Sequence, residues 1–421
     1  MNSKTTEGVE EQDVLQGPDR LGVNRRLTIL IVASYLGGRE GNPWLLDDLA
    51  VAFADAGHEV DVLVHDPNRS WLQGRTAYLD DRIRIFNVGP KHVRRGRIGK
   101  ILNYAAAGWG LHTAGMNFAR AKTYDLGIYT SIGSFSWGLP SRLRRSGIVR
   151  KLVFVLWDFF PIHQMQIGRI KQRGVHAPLR AIERLAISGA DAIAVMSPAN
   201  ERFLRSYHPE VKARTVIVPP WASDSTTTSP APERRSKFTA VFGGQLAPGR
   251  GVDILLEAMH QLQTDGVPID LLVVGDGPAK AALMTRAVEL GLANTQFRGA
   301  LRRSDYRKLL QTAHVGVAIT VPGVSPPSFP SKISEYCASA VAVVVSVEPS
   351  SDAGAVVEAA GAGVTVPVGD APALAHALQK LQGEFVNGSL DRRRQRARVL
   401  FEQQLSVRRA AEVIGSIGRT R

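Results

Sequence analysis

Short β-branched runs alternate with amphipathic helical stretches twice along this chain, and that repeat leaves few folds open. In the first half the runs are Leu27 to Ser34, Val60 to His65, Ile83 to Val88, Leu126 to Thr130, Lys151 to Trp157, Ala192 to Met196 and Thr215 to Val218. The second half supplies Phe238 to Phe242, Asp270 to Val274, Thr295 to Phe297, His314 to Thr320, Val341 to Val345 and Gly363 to Val366. Helical patterns lie between them, as in Trp44 to Ala56, Val252 to Leu262, Ala279 to Glu289 and Ala371 to Leu381. Strands alternating with helices require right-handed crossovers and hence parallel sheets covered on both faces. The expected fold is α/β, with two doubly wound, Rossmann-like domains that face each other across a cleft at the carboxyl edges of their sheets. A length of 421 residues is too great for one core and fits this division. The predicted boundaries are a polar, acidic, disordered tail over 1–24, a first domain over 25–222, a Ser-, Thr- and Pro-rich linker over 223–236, a second domain over 237–400 and a C-terminal helix over 401–421.

The formal net charge of +14 is unevenly placed. Between Arg82 and Lys151 there are fourteen Lys and Arg against one acid, Asp125. They gather as Lys91, Arg94, Arg95, Arg97 and Lys100, and again as Arg142, Arg144, Arg145, Arg150 and Lys151. Between the two groups runs Ile98 to Phe118, where Ile101, Leu102, Tyr104, Trp109, Leu111, Met116 and Phe118 interrupt small and polar residues. A basic rim beside an apolar, Trp-bearing helix suits an anionic membrane surface. The alternative is a core helix with solvated arginines at its ends. Nucleic acid would need stacking aromatics interleaved with the basic residues or a known reading motif, and the sequence has neither. No apolar run is long enough to span a bilayer, and the first 24 residues read as a tail and not a signal peptide. The single cysteine, Cys337, cannot form an internal disulfide, which fits a reducing cytoplasm, and it reads as a small buried hydrophobe.

Each domain places glycine where its first strand ends. The first has Gly37-Gly38-Arg39-Glu40-Gly41 ahead of Asn42 and Pro43, which suit a helix start. The second has Gly243-Gly244-Gln245-Leu246-Ala247-Pro248-Gly249-Arg250-Gly251, followed later by Val274-Gly275-Asp276-Gly277-Pro278. Glycine lets a backbone approach a ligand, and Arg250 offers a charge-assisted contact to phosphate oxygens. One such turn alone is also what any tight turn needs. The segment Ser328-Phe329-Pro330-Ser331-Lys332-Ile333-Ser334-Glu335-Tyr336 follows a buried strand. Pro330 blocks helix, Ser331 is expected to cap the next one, and the helix start favours a diphosphate. Glu335, one turn in, can accept hydrogen bonds from a ribose diol; the alternative is a surface helix with a carboxylate near its positive end.

Taken together these motifs resemble a family 4 retaining glycosyltransferase of the two-domain GT-B fold. The second domain carries the closest matches: Gly244 to Gly251 with Leu255-Leu256-Glu257-Ala258, then Val274 to Pro278, Phe297-Arg298-Gly299 and Pro330 to Tyr336. The first domain matches through its glycine loop, Gly57-His58-Glu59-Val60, Trp157-Asp158-Phe159-Phe160-Pro161 and Ala190-Asp191-Ala192-Ile193. The family often has two glutamates separated by seven residues; here the second is Glu335 and the first position is Pro327. Its usual phosphate-binding Arg and Lys correspond to Gln245 and Arg250. The Pro-Ser-Lys form resembles the branch that builds bacterial exopolysaccharide, capsule and O-antigen.

The resemblance implies transfer of a hexose-type sugar from a UDP or GDP sugar with retention of anomeric configuration, and no metal or other cofactor. Arg250 and the Gly244 backbone would stabilise the departing diphosphate, with Gln245, Gly275, Gly277 and Ser331 around them and Lys332 a candidate second cation. Glu335 would hold the ribose, and Gly37 and Gly38 would close over the phosphates. Asp158 is the candidate for orienting or deprotonating the acceptor hydroxyl. His163 and Ser131 are further acceptor-side candidates. The expected acceptor is a polyprenyl-diphosphate-linked or other glycan, with the protein in the cytoplasm and peripheral on the inner face of the plasma membrane, and the C-terminal helix would cross back to the first domain. A GT-B nucleotide-sugar epimerase, a degenerate non-catalytic copy and a nucleic-acid-binding protein remain the alternatives.

Overall fold

The computed structural model describes residues 25–33, 45–68, 75–79, 81–130, 138–168, 170–171, 173–224 and 233–420. The first sheet contains β1 (Thr28–Ala33), β2 (Glu59–His65), β3 (Arg75–Leu79), β4 (Ile83–Val88), β5 (Tyr124–Tyr129), β6 (Val149–Leu156), β7 (Ala192–Val195) and β8 (Arg214–Ile217). Their spatial order is β3-β4-β2-β1-β5-β6-β7-β8. The second sheet contains β9 (Thr239–Gly243), β10 (Asp270–Val274), β11 (Thr295–Arg298), β12 (Val315–Ile319), β13 (Ala342–Ser346) and β14 (Gly363–Thr365), in the order β11-β10-β9-β12-β13-β14. All pairings are parallel except one. β3 runs antiparallel to β4, with Leu79 opposite Ile83, and is the strand that periodicity does not predict. It is a short edge strand with Tyr78 exposed, so it needs no β-branched apolar run.

The interior strands read as continuous apolar runs because helices cover both faces. Along β13, Ala342 and Val344 join one core cluster while Val343 and Val345 join the other. Cys337 is fully buried, and that burial pushes its thiol up to about 12, so it is an inert part of the packing. Strand order reverses between β9 and β12 in the second sheet and between β1 and β5 in the first, which places a crevice at each of those carboxyl edges. The segments that follow β1 and β5, with Gly37, Gly38 and Ser131, lie outside the described residues.

The C-terminal segment joins the two domains. Phe401 and Leu405 are buried with the second sheet, whereas Ala410, Ala411, Ile414 and Ile417 of the helix Val407–Arg419 belong to the same core as Leu27 and Phe53 of the first domain. The crossing occurs at Ser406, where the Leu405 carbonyl accepts from the Ala222 amide at 3.0 Å and the Ala222 carbonyl accepts from the Val407 amide at 2.9 Å. The apolar face of this last helix is therefore spent on the first domain.

Among the described residues, five of the fourteen basic residues in this segment are paired with acids, of which all but Asp125 come from elsewhere in the chain. Arg82 meets Asp55, Arg144 meets Asp191, Arg150 meets Asp125, and Arg84 and Lys122 both meet Asp61. The predicted basic rim is correspondingly smaller than its composition suggests. Asp61 is buried to 2% exposure and accepts from Arg84 at 2.7 Å and from the Tyr124 hydroxyl at 2.6 Å. Burial pushes its carboxyl up, and the hydrogen bonds from Arg84, Tyr124 and Lys122 outweigh that and hold it below the usual carboxylate range. Asp61→Ala should thus cost about 3 kcal/mol, because Arg84 loses its counter-charge and Lys122 keeps only Glu59. Urea unfolding reads this directly, and a loss under 1 kcal/mol would show the cluster to be incidental. The same depressed carboxyl makes its contribution present above the ordinary aspartate value and lost as pH falls below that value through the lowered one of the folded protein.

Candidate active site

At the carboxyl end of β9 the chain makes a loop that a second loop supports from behind. The Gly244 amide donates to the Val274 carbonyl at 3.0 Å, and Leu246 donates to Asp276 at 2.9 Å. Gly275 and Gly277 have φ of 146° and 153°, and a Cβ there would stand 1.9 Å from the Gly244 oxygen and 2.2 Å from the Leu246 oxygen. Close backbone packing therefore requires these two glycines, and it accounts for them without a ligand. Gly244 and Gln245 remain exposed. The Tyr336 hydroxyl accepts from the Gly243 amide at 3.2 Å, fixing the loop from beneath.

The helix Lys332–Ala338 follows, with Ile333, Tyr336 and Cys337 packed inward. Ser331 already has helical backbone angles and its side chain makes no cap bond, so the predicted capping role is corrected. Lys332 and Glu335 are half-buried beside this packed face. The Lys332 ammonium lies 4.0 Å above the Phe242 ring and 3.8 Å from where a Cβ of Gly244 would be. Among the described residues it has no carboxylate partner. Burial, and then the charge of Arg250, bring it down to about 7. Arg250 itself is exposed on the same loop. Two cations without acid partners among the described residues thus converge on the open glycine loop, which is an arrangement that an anion would stabilise.

Glu335 is held by two arginines that sequence reading missed. Its Oε1 accepts from Arg303 Nη2 at 2.6 Å and Nε at 3.0 Å, and its Oε2 accepts from Arg307 Nε at 3.3 Å. Arg303 in turn meets Asp48 of the first domain at 2.6 Å. The available signal was the spacing of Arg303 and Arg307, four apart on the helix Arg303–Thr312 and so on one face. A carboxylate has about four acceptor positions, so Oε2, with the longest of these contacts, keeps room for a further donor.

Across the cleft, Asp158 and His163 follow β6. Asp158 is exposed, and its carboxylate is 3.9 Å from His163 Nδ1. The loop between them is anchored by Glu183, fully buried, which accepts from the Phe160 amide at 2.7 Å and meets His208 Nε2 at 2.9 Å. Other contacts draw the two domains together. Gln166 exchanges hydrogen bonds with Ser325 at 2.7 and 2.9 Å, and Asn200 donates to the Pro327 carbonyl at 2.7 Å. Pro327 is therefore an interdomain backbone contact, and the buried carboxylate beside it is Glu348, which accepts from Ser328 and from the Thr320 hydroxyl.

Residues 45–221 match the family described as glycosyl transferase 4-like domain, and residues 237–383 match glycosyl transferases group 1. Together the two matches span more than three quarters of the chain. The chain belongs to the GT4-type glycosyltransferases. No curated protein sequence is similar enough to count as a relative. Among solved structures this glycosyltransferase is similar to sucrose-phosphate synthase from Thermosynechococcus elongatus, at 18% identity and a TM-score of 0.64, over 89% of this chain and 95% of that one. It is also similar to WaaG, a glycosyltransferase involved in lipopolysaccharide biosynthesis, at 14% identity and a TM-score of 0.63, over 92% and 99% of the two chains. HepE from Anabaena, solved in complex with UDP, matches at 16% identity and a TM-score of 0.60, over 90% and 96%. These likenesses establish the GT-B fold of two Rossmann-like domains.

Proposed function

We propose that this glycosyltransferase takes a sugar from a nucleoside diphosphate sugar and places it, with anomeric configuration retained, on a lipid-linked glycan at a membrane surface. The observation that carries the donor half is the convergence of Lys332 and Arg250, both without an acid partner among the described residues, on the exposed Gly244 loop. In the proposed reaction the bond from the anomeric carbon to the diphosphate loosens first. Lys332, Arg250 and the loop amide dipoles stabilise the charge left on the diphosphate, and that stabilisation grows as the bond breaks. Lys332 fills the place of the cation that Gln245 does not supply. Glu335 accepts from the ribose, while Asp158 orients or deprotonates the acceptor hydroxyl, with His163 beside it. The buried Glu183 keeps that loop in position.

The membrane half rests on Trp109 and Leu102, exposed by 75% and 46% on the helix Gly96–Gly110, with Val93, Arg94 and Arg95 exposed at its start. Among the described residues no helix is long and apolar enough to cross a membrane, so attachment would be peripheral. Each basic residue near an anionic surface contributes about 1 kcal/mol. Combining Arg94→Glu and Arg95→Glu with Trp109→Ala should lower partition onto phosphatidylglycerol vesicles by at least about 30-fold. Unchanged flotation would reject this face. The anomeric configuration of the product, read by NMR after transfer from a UDP or GDP sugar, tests retention, and an inverted product would contradict it.

A further inference from the structure

One nitrogen of Arg303 joins the two domains at the nucleotide end of the candidate site. Its Nη2 is 2.6 Å from Asp48 of the first domain and 2.6 Å from Glu335 of the second. The three side chains are only 10–17% exposed, and Arg307, at 15%, closes the far side of Glu335 while its own Nη2 donates to Ser223 at 2.7 Å. Asp48 lies in the helix Leu45–Asp55, whose Leu46, Leu49 and Phe53 are packed against the first sheet, so its carboxylate moves with that domain. Arg303 and Glu335 sit on two helices of the second domain and stay together when the domains separate. Opening the cleft therefore breaks Asp48–Arg303 and leaves Arg303–Glu335. Burial raises the Asp48 carboxyl above its ordinary value, and the charge and hydrogen bond of Arg303 pull against that rise.

We propose that Asp48 and Arg303 are positioning residues that tie domain closure to nucleoside recognition: Asp48 holds the guanidinium at Nη2, and the Nε and Nη2 edge presents the Glu335 carboxylate to the ribose diol of the donor. This rests on the nucleotide-sugar reading above. It predicts that closure strengthens the grip on the nucleoside and that a bound nucleoside favours closure, since such coupling is reciprocal. Nothing in it requires Asp48 to touch the donor.

The test compares the full chain with Asp48→Asn, which keeps the shape and removes the charge, and with Asp48→Glu as the conservative rescue. Small-angle scattering without nucleotide should show a larger radius of gyration for Asp48→Asn, and calorimetry with UDP and GDP should show about tenfold weaker binding of whichever one the wild type holds. Asp48→Glu should recover both, and in turnover Asp48→Asn should raise KM more than it lowers kcat. An unchanged radius, or an enlarged radius with unchanged nucleotide affinity, overturns the coupling. Wild-type protein that binds neither nucleotide would sink the nucleotide-sugar reading and the coupling with it, which the scattering arm distinguishes from a clasp that fails to close. Arg303→Lys supplies a second variant should Asp48→Asn fold poorly, with the same two results expected.

Discussion

Glu335→Ala should weaken nucleoside diphosphate binding by about 100-fold or more and destabilise the protein in the same step. On the proposed reading the carboxylate takes two hydrogen bonds from the ribose, each worth about 1.5–3 kcal/mol because one partner is charged. The destabilisation has a separate source. Arg303 and Arg307 face Glu335 at 2.6 and 3.3 Å in side chains that are 13% and 15% exposed, and its removal leaves Arg303 with Asp48 alone and Arg307 without a paired acid among the described residues, at about 3 kcal/mol. Glu335→Gln separates the two effects, since it retains acceptor oxygen and shape while losing charge. Its melting temperature should fall less than that of the alanine variant, with binding still weakened at least tenfold. Calorimetry on folded protein and urea unfolding measure the two quantities independently. Wild-type affinity in both variants would remove Glu335 from the donor site.

Lys332 and Arg250 carry the second large effect. On the proposed reading each stabilises charge that develops on the diphosphate as the sugar departs, so Lys332→Met and Arg250→Ala should each lower kcat by about 10²–10³-fold. The double variant should lose less than the product of the two, because both act on one group. Lys332 adds a pH signature. In the free protein its ammonium sits at about 7, and a bound diphosphate favours the charged form. Donor affinity should therefore fall as pH rises above about 7, and Lys332→Arg should abolish that dependence. Stability runs the other way. The cost of burying the charged ammonium is full below about pH 7 and disappears as pH rises toward the ordinary lysine value. Lys332→Met should accordingly raise the melting temperature at pH 7 while it impairs catalysis, an outcome that a purely structural lysine would not give.

The sheets were legible because parallel strands covered on both faces must be apolar along their whole length, as Val315–Ile319 and Ala342–Ser346 are. β3 was not, since an edge strand answers to pairing and not to burial. The Gly244 loop could be placed from its position after a strand. Gly275 and Gly277 could not be separated from it, because a glycine that lines a ligand and a glycine that lets two loops touch have the same sequence signature. Lys332 and Glu335 were found through one local motif. Their environment was hidden: Arg303 and Arg307 come from another helix and Asp48 from the other domain. Long-range charge partners leave no local periodicity. The same reason explains why the basic segment looked freer than it is, with Asp61 and Asp191 reaching it from distant elements.

The central claim is that the second domain holds a nucleoside diphosphate sugar between the Gly244 loop, Lys332, Arg250 and Glu335. Its most direct test is a melting-temperature screen of the full chain with UDP, GDP, ADP and their common sugar conjugates, repeated in Lys332→Met and Glu335→Gln, because a ligand that binds only the folded state raises the melting point. Stabilisation by one nucleotide and its sugar conjugate, lost in both variants, is the predicted result and also names the base. Stabilisation that survives in both variants, or none with any nucleotide, would contradict it.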